Sequence, residues 1–343
     1  MRLVQITHLD YGRKVALVQE PSLVLLDGIS SVYELAVEAI HSGNDIKAMV
    51  EKYLSASKLE YDNVYDGAGE WSLLPSFDCP KNVFSCLVSG TGLTHKNSAL
   101  NRQIMHQAGG DSLTDSMKMY QWGLEGGQPA DGTIGIQPEW FYKGTGAMLK
   151  AHQQTLPVPA YASDGGEEPE IAGVYVIDNN TRPVRIGFTT GNEFSDHVME
   201  RKNYLYLAPS KLRNCAIGPE LVIDMNFADI DGTVKVTRNK NELWSAAIHT
   251  GEKNMAHSLA NLEYHHFKYK DHRQPGQAHI HFFGADAFSF GNGIKLETGD
   301  EMHVYWEGMG RPLVNSIQIE TGKEEFIKVR SINNPAPPDI LPE

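Results

Sequence analysis

The chain has 343 residues, of which 41% are hydrophobic, so it is long enough for one large domain or two smaller ones. Its formal net charge of -13 argues against nucleic acids and anionic membrane surfaces as partners, because both attract basic patches. Three cysteines without framework spacing indicate free thiols in a reducing compartment. With no signal-peptide pattern and no bilayer-spanning apolar run in the sequence, we expect a cytoplasmic protein.

The N-terminal residues alternate between apolar and polar side chains and then change to a helical period. Strands are predicted at 3–6, 14–18 and 23–26. Ser30 or Ser31 is predicted to cap a helix that Gly43 ends, and a second helix is expected near 45–54. We therefore predict a small N-terminal α+β domain. Three segments follow from this division: the small domain over 1–75, a main domain over 76–330, and a frayed, Pro-rich tail over 331–343.

The main domain opens with a buried-type strand at 82–88 and a polar loop that ends at His95. His95 is a candidate general base or water-orienting residue, and the alternative is a loop histidine in an ordinary hydrogen bond. A helix is predicted over 97–108. Residues 109–135 are rich in Gly, Asp and Ser and are predicted to form a long loop, with aromatic and Met content that favours a lid.

Acidic residues flank two strand-like runs, 171–177 and 184–188. Glu168 and Glu170 are two residues apart, so on a strand both carboxylates point to the same face. Such a pair is costly unless a positive charge lies between them. With Glu193 as a third acid and no local Cys or His ligand, the pattern predicts an oxygen-ligated Mg²⁺, Mn²⁺ or Ca²⁺ site rather than a zinc site. The alternative is a solvated strand.

The C-terminal third is mainly strands. They are expected at 221–223 and 232–236, with a hairpin turn near 229–232 and a helix over 252–264. His279 and His281 share one strand face, which is metal-ligand spacing. Because no third ligand of the same kind is near in sequence, we interpret them as a hydrogen-bonded pair.

The order of motifs resembles the fumarylacetoacetate hydrolase superfamily. Its E-x-E pair, N-D-x-S motif and following lysine are matched by Glu168-Pro169-Glu170, by 192–195 (NEFS) and by Lys211, which precedes Gly218-Pro219. The resemblance implies that Glu168, Glu170 and Glu193 bind Mg²⁺ or Mn²⁺ and that Lys211 lies beside a bound keto acid. Ser195 belongs to the same motif and is expected at the substrate. The departure is Glu193, where the family usually has Asp.

Further family motifs are matched in the correct order between residues 82 and 320. The segment 138–149 resembles P-x-x-F-x-K-P-x-S-A-L, which implies that Lys143 borders the substrate. His95 matches the histidine of the family's base dyad, but Ser98 stands where its partner acid is expected. Gly284 survives from T-G-T-P-x-G-V-G, whereas Ala285 replaces the substrate-binding Thr and Asp286 replaces the Pro. Gly284 and Asp286 are therefore expected at the pocket rim.

The family's chemistry implies a metal-stabilised enolate of a 2-oxo acid, from which hydrolysis, decarboxylation, tautomerisation and dehydration all branch. The changes at Ser98, Ala285 and Asp286 favour dehydration, and the pattern is most similar to the GguC-like branch associated with bacterial pentose and galactose catabolism. We therefore predict a Mg²⁺-dependent dehydratase of a 2-keto-3-deoxypentonate such as 2-keto-3-deoxy-L-arabinonate, giving 2-oxoglutarate semialdehyde. Lys211 would remove the C3 proton or steady the enolate, and its role relative to His95 stays open.

Two alternatives to dehydration remain. The first is hydrolysis or C–C cleavage of an acylpyruvate or a 2,4-dioxo sugar acid at the same metal, and the second is a non-catalytic sugar-acid sensor. For the fold, the resemblance implies an α+β, strand-rich architecture with a mixed β-roll behind the small N-terminal domain. It also implies a homodimer.

Overall fold

The computed structural model describes residues 1–106 and 113–333. At the N-terminus, Ser31 caps the first helix by accepting a hydrogen bond from the Glu34 amide, and Gly43 ends that helix at φ 69°. Both features were predicted from the sequence and are confirmed. The first elements are β1 (Arg2–His8), β2 (Gly12–Gln19), β3 (Ser22–Leu26), α1 (Val32–Ser42), α2 (Ile46–Tyr53), β4 (Leu54–Glu60), α3 (Tyr61–Tyr65) and β5 (Ser72–Leu73).

The middle of the chain carries the strands that later form the candidate site. Its elements are β6 (Cys86–Gly90), α4 (Lys96–His106), α5 (Asp115–Gly126), β7 (Phe141–Thr145), β8 (Leu149–Lys150), β9 (Leu156–Val158), β10 (Pro169–Ile177), β11 (Pro183–Asn192), α6 (His197–Lys202), α7 (Leu207–Lys211) and β12 (Cys215–Val222). The predicted strands at 171–177 and 184–188 are confirmed. The strand predicted at 82–88 begins only at Cys86, because Asn82 caps a single 3₁₀ turn before it.

The C-terminal third completes the two sheets. Its elements are β13 (Ile230–Arg238), β14 (Asn241–Thr250), α8 (Leu259–Phe267), β15 (Ala278–Phe282), β16 (Glu301–Trp306) and β17 (Leu313–Ile319). Residues 331–333 lack regular structure, and the rest of the predicted frayed tail lies outside the described residues.

The described residues form two mixed sheets. The larger has the order β4-β3-β2-β1-β12-β11-β10-β15-β6-β7, with β5 on β1 and β8 on β12, and the smaller has the order β14-β13-β16-β17-β9. Most pairs are antiparallel, while β15–β6, β12–β8 and β17–β9 are parallel. The predicted strand-rich α+β class is therefore confirmed. Strand β1 pairs with β12, so the sheet runs across the predicted boundary at 75/76; the division into domains stays a prediction.

Strand β10 lies at the centre and is buried along its whole length. Ala172, Val174 and Val176 join the hydrophobic core that includes α1, whereas Ile171 joins the core shared with the smaller sheet. This two-sided burial explains the unbroken apolar run, since each fully buried Val or Ile side chain contributes about 1.5–3 kcal/mol. The strand that carries the acidic motif is thereby fixed on both faces.

One predicted turn of the C-terminal third is wrong: the hairpin expected near 229–232 is not formed, because 230–232 already belong to β13. Residues 238–241, which the sequence predicts as a polar turn, connect β13 to β14, with Asn239 and Lys240 at φ 52° and 66°. Gly232 is a strand residue, and a Cβ there would lie 2.4 Å from the Trp306 ring. Its glycine therefore permits close packing rather than a turn.

The helices on the candidate-site side also differ from the prediction. The helix expected over 252–264 begins at Leu259, because Ser258 caps it by accepting from the Asn261 amide. Within the predicted loop 109–135, residues 115–126 form α5, which Thr114 caps. Met117 and Tyr120 of α5 are buried against Ala99 of α4. The last two residues of the helix predicted over 97–108 lie outside the described residues.

Candidate metal and active site

Three glutamates converge where β10 begins and β11 ends. Glu168 and Glu170 flank Pro169, which pairs with Asn192, and the Glu193 amide donates to the Glu168 carbonyl at 2.9 Å. One carboxylate oxygen from each of Glu168, Glu170 and Glu193 lies within 4.8 Å of the others, and all three side chains are buried. Antiparallel register, rather than proximity in sequence, brings the third acid to the other two.

Two buried lysines face this cluster. Lys211 Nζ lies 2.7 Å from both Glu168 Oε1 and Glu193 Oε2, and it donates to Ser195 Oγ at 2.9 Å. Lys143 Nζ lies 2.6 Å from Glu193 Oε1 and also donates to the Phe194 and Lys211 carbonyls. The structure thus brings Lys143, Lys211 and Ser195 to the three glutamates. Charge-assisted contacts of this kind are what allow ionised groups to be buried.

The positive charge within the cluster does not match the negative charge. Burial and the charges of Glu193 and Glu168 raise the pKa of Glu170 well above its usual value, and burial raises the pKa of Glu193 to about 7 despite both lysines. Burial also opposes ionisation of Glu168, but Lys211 and His197 hold its pKa well below the usual value. Oxygen-only donors with excess negative charge suit a hard divalent cation, so the three glutamates can hold one.

Lys211 itself is held in the charged form. Burial alone would lower its pKa, but Glu168, Glu193 and Glu200 raise it well above its usual value. Glu200 Oε1 lies 3.2 Å from Lys211 Nζ, and its other oxygen lies 2.9 Å from Arg102 Nη2. In this arrangement Lys211 is a source of positive charge rather than a proton acceptor.

His95 is buried beside Thr94, whose hydroxyl donates to the Phe283 carbonyl at 2.8 Å, next to Gly284. Its Nδ1 is 2.8 Å from Thr94 Oγ1, its Nε2 is 3.1 Å from Thr250 Oγ1, and burial lowers its pKa to about 3. Within the described part of the chain, no hydrogen bond joins this ring to the three glutamates. His95 is therefore neutral and held by hydroxyl groups; its assignment as a base stays a prediction.

Gly284 and Asp286 follow β15. The Gly284 amide donates to Glu170 Oε2 at 2.7 Å, and its φ of 101° is one that side chains rarely adopt. A Cβ at Gly284 would lie 2.0 Å from Thr94 Oγ1, so the backbone approaches the acid because no side chain is present. Asp286 is 6% exposed and accepts from Asn97 Nδ2 at 3.0 Å and from the His249 amide at 3.1 Å. Burial raises its pKa.

Several site residues were not predicted from the sequence. His197 Nε2 donates to Glu168 Oε1 at 3.0 Å, and Glu200 lies one turn later on α6. The histidine and the acid three residues apart were a usable signal, because that spacing places both on one helix face. Beyond Glu200 lie Arg102 and Glu139, whose Oε1 accepts from the Tyr204 hydroxyl at 2.9 Å.

His279 and His281 each form side-chain hydrogen bonds with other residues. His281 lies 2.8 Å from both Ser89 Oγ and Thr91 Oγ1, and His279 Nδ1 is 2.9 Å from His266 Nε2. Of the residues described, only the three glutamates form a group of three or more metal-binding side chains.

Comparison with known proteins places the fold. Solved structures of a dehydratase and of an isomerase share it. A 2-keto-3-deoxyarabinonate dehydratase superposes with a TM-score of 0.68 at 18% identity, covering 94% of this chain and 100% of that one. The structure of 2-keto-3-deoxy-D-arabinonate dehydratase complexed with magnesium and 2,5-dioxopentanoate gives a TM-score of 0.67 at 18% identity, with 93% and 99% covered.

An isomerase has the same fold at a lower similarity. The 5-carboxymethyl-2-hydroxymuconate delta-isomerase from Mycobacterium smegmatis gives a TM-score of 0.57 at 15% identity, covering 93% of this chain and 100% of that one. No protein-family model and no curated protein matches the chain. Because one fold hosts several reactions, the site rather than the fold must decide the chemistry.

No helix within 1–106 or 113–333 combines the length and apolar character that a membrane crossing requires.

Proposed function

We propose that this protein is a Mg²⁺-dependent dehydratase that converts a 2-keto-3-deoxypentonate, such as 2-keto-3-deoxy-L-arabinonate, to 2-oxoglutarate semialdehyde. The observation that carries the proposal is the buried cluster of Glu168, Glu170 and Glu193 facing Lys143 and Lys211. The fold supports it, since a structure with magnesium and 2,5-dioxopentanoate shares that fold.

The donor set fits the proposed metal. Three carboxylates without nitrogen or sulfur ligands suit Mg²⁺ or Mn²⁺, and the raised pKa of Glu170 indicates a site that lacks positive charge. Glu168, Glu170 and Glu193 would hold the ion, which would supply Lewis-acid stabilisation of negative charge on a 2-oxo acid.

The chain's own residues supply the remaining functions. Lys211 is a permanent cation that Ser195 helps to orient, which supports a role in steadying negative charge on the substrate. Lys143 holds Glu193, and the Gly284 amide holds Glu170. Asp286, whose pKa burial raises, is proposed to address a substrate hydroxyl, and His95 is proposed as the proton acceptor. A homodimer is proposed from the family resemblance alone.

A substrate panel tests this function. EDTA-stripped protein, with and without added Mg²⁺, would be given 2-keto-3-deoxy-L-arabinonate, its D-isomer and an acylpyruvate. Semialdehyde formation would be followed through an NAD(P)⁺-dependent dehydrogenase, and pyruvate release through lactate dehydrogenase. We expect Mg²⁺-restored semialdehyde formation from at least one pentonate. Pyruvate release from the acylpyruvate alone would replace the dehydratase with a hydrolase, and tight binding without turnover would indicate a sensor.

A further inference from the structure

The segment 284–290 follows β15, and we call it the bracing strip. It contacts Glu170 and Glu167 directly and Glu168 through His197. Its first residue donates from the Gly284 amide to Glu170. Ser289 donates to Glu167 through its amide at 2.6 Å and its hydroxyl at 2.9 Å. Phe288 and Phe290, on either side of Ser289, contact His197, which in turn forms a hydrogen bond with Glu168.

His197 is enclosed by the strip. Its ring stacks on Phe288 with centroids 4.7 Å apart and planes 3° apart, and on Phe290 at 5.1 Å and 25°. The His197 side chain is 1% exposed, and its Nε2 is 3.0 Å from Glu168 Oε1. A Cβ at Gly166 would lie 2.7 Å from His197 Nδ1, so the absence of a side chain there allows the ring to occupy this position. The two phenylalanine rings therefore fix the plane from which Nε2 donates.

Glu168 Oε1 accepts from two donors that arrive from different elements. Lys211 comes from α7 at 2.7 Å, and His197 comes from the first turn of α6. Lys211 alone would leave the carboxylate free to rotate about the Lys211–Oε1 hydrogen bond. A second donor from a different direction restricts that rotation.

We propose that His197 is a positioning residue that orients Glu168 for metal binding, and that Phe288 and Phe290 hold its ring in place. The inference rests on the proposed function, because it assumes that Glu168 is a metal ligand. Partners that orient a ligand in this way typically change metal affinity by about 10- to 100-fold.

The test compares two substitutions at His197, one that keeps an aromatic ring and one that keeps a hydrogen-bond donor. Mn²⁺ binding to the full-length, EDTA-stripped protein is measured by electron paramagnetic resonance. His197→Phe keeps the stacked ring but loses the donor, whereas His197→Gln keeps a donor but loses the ring. We expect Mn²⁺ affinity to fall about tenfold or more in His197→Phe and to stay within about threefold of wild type in His197→Gln. The melting temperature of the metal-free protein, which reports packing, should follow the opposite order.

His152→Phe is the matched control. His152 is also a buried histidine stacked on one aromatic ring, Tyr65 at 4.1 Å, and it accepts a single backbone hydrogen bond from Val314. This substitution should leave Mn²⁺ affinity unchanged.

Unchanged affinity in His197→Phe, or equal losses in both His197 variants, would overturn the positioning role while leaving the metal site intact. If His197→Phe does not fold, His197→Gln decides alone: near wild-type affinity supports the role, and a tenfold loss overturns it. A wild-type protein that binds no Mn²⁺ would instead overturn the proposed function itself.

Discussion

Lys143 is completely buried, and its ammonium group lies 2.6 Å from Glu193. Lys143→Met would leave that carboxylate beside Glu168 with Lys211 as its remaining ion-pair partner. Removing one member of a buried pair typically costs about 3–5 kcal/mol, so we expect a loss of that order in urea unfolding of the EDTA-treated protein. Added Mg²⁺ should recover part of it. Lys52→Met, which removes an exposed pair with Glu38, should change little; equal effects of both substitutions would contradict the account.

Unlike the charge of Lys143, the charge of Glu170 destabilises the metal-free protein. Burial and two neighbouring acids disfavour ionisation of the side chain and raise its pKa. Glu170→Gln keeps an oxygen for the Gly284 amide and removes the charge. We expect the EDTA-treated variant to be more stable than wild type by about 1 kcal/mol, and to lose both the Mg²⁺-dependent rise in melting temperature and the turnover. A variant that loses stability in EDTA and still responds to Mg²⁺ would show that Glu170 is not a ligand.

At the scale of elements, local signals predicted well where a local cause sets the structure. Ser31, Gly43 and the strand-like apolar runs of β10 and β11 act within a few residues, and the structure follows them. The spacing of Glu168 and Glu170 likewise placed two acids on one strand face. Local signals could not predict packing between distant residues. Gly232 lies in a sequence typical of a turn, but in the structure its missing side chain makes room for the Trp306 ring of β16.

Contacts between residues that are distant in sequence also explain which site residues were missed. Glu200 and Arg102 lie on α6 and α4 and meet only in the folded chain, at 2.9 Å. His197 binds Glu168 directly, but the rings that pack against it, Phe288 and Phe290, come far later in sequence. Nothing within a short window of the sequence connects these groups, so a motif search finds the ligands but not the groups that hold them.

The buried histidines of β15 lead us to expect that folding stability depends on pH. Burial lowers the pKa of His279 and of His281 to about 3, and that of His266 well below its usual value. In the unfolded chain these groups titrate near pH 6.5, so below that pH the unfolded state binds more protons. Stability should therefore fall as the pH drops from about 6.5 towards 3, by about 1.4 kcal/mol per pH unit for each histidine.

Urea unfolding at intervals between pH 7 and 5.5 measures this slope. His281→Gln retains hydrogen-bonding groups for Ser89 and Thr91 but removes one titrating site. The slope of its unfolding free energy against pH should be shallower than that of wild type, by an amount that approaches one bound proton at the lower end of this pH range. Parallel slopes for the two proteins would show that His281 is not a buried neutral histidine.

At the scale of the whole molecule, the order of motifs predicted the fold that the comparisons show, although the identity to the solved dehydratases is only 18%. Order carries this information because several motifs lie where a strand begins or ends, such as Glu168-Pro169-Glu170 at β10 and Gly284 after β15. The two-sheet framework fixes those points relative to each other. The reaction is less determined, since isomerases share the framework. The proposal of dehydration therefore depends on the sequence departures at Ser98, Ala285 and Asp286.

The most direct test of the central claim, that the buried glutamates hold the metal used in dehydration, is a Mg²⁺ titration of the stripped wild-type protein. Melting temperature and the rate of semialdehyde formation from 2-keto-3-deoxy-L-arabinonate would be measured at each concentration. We expect a single Kd to describe both: the rate saturates with Mg²⁺, whereas the stabilisation keeps rising with the logarithm of its concentration and reaches about 2.7 kcal/mol at 100-fold above Kd. Turnover that needs no Mg²⁺, or a rate that saturates while the melting temperature stays fixed, would contradict it.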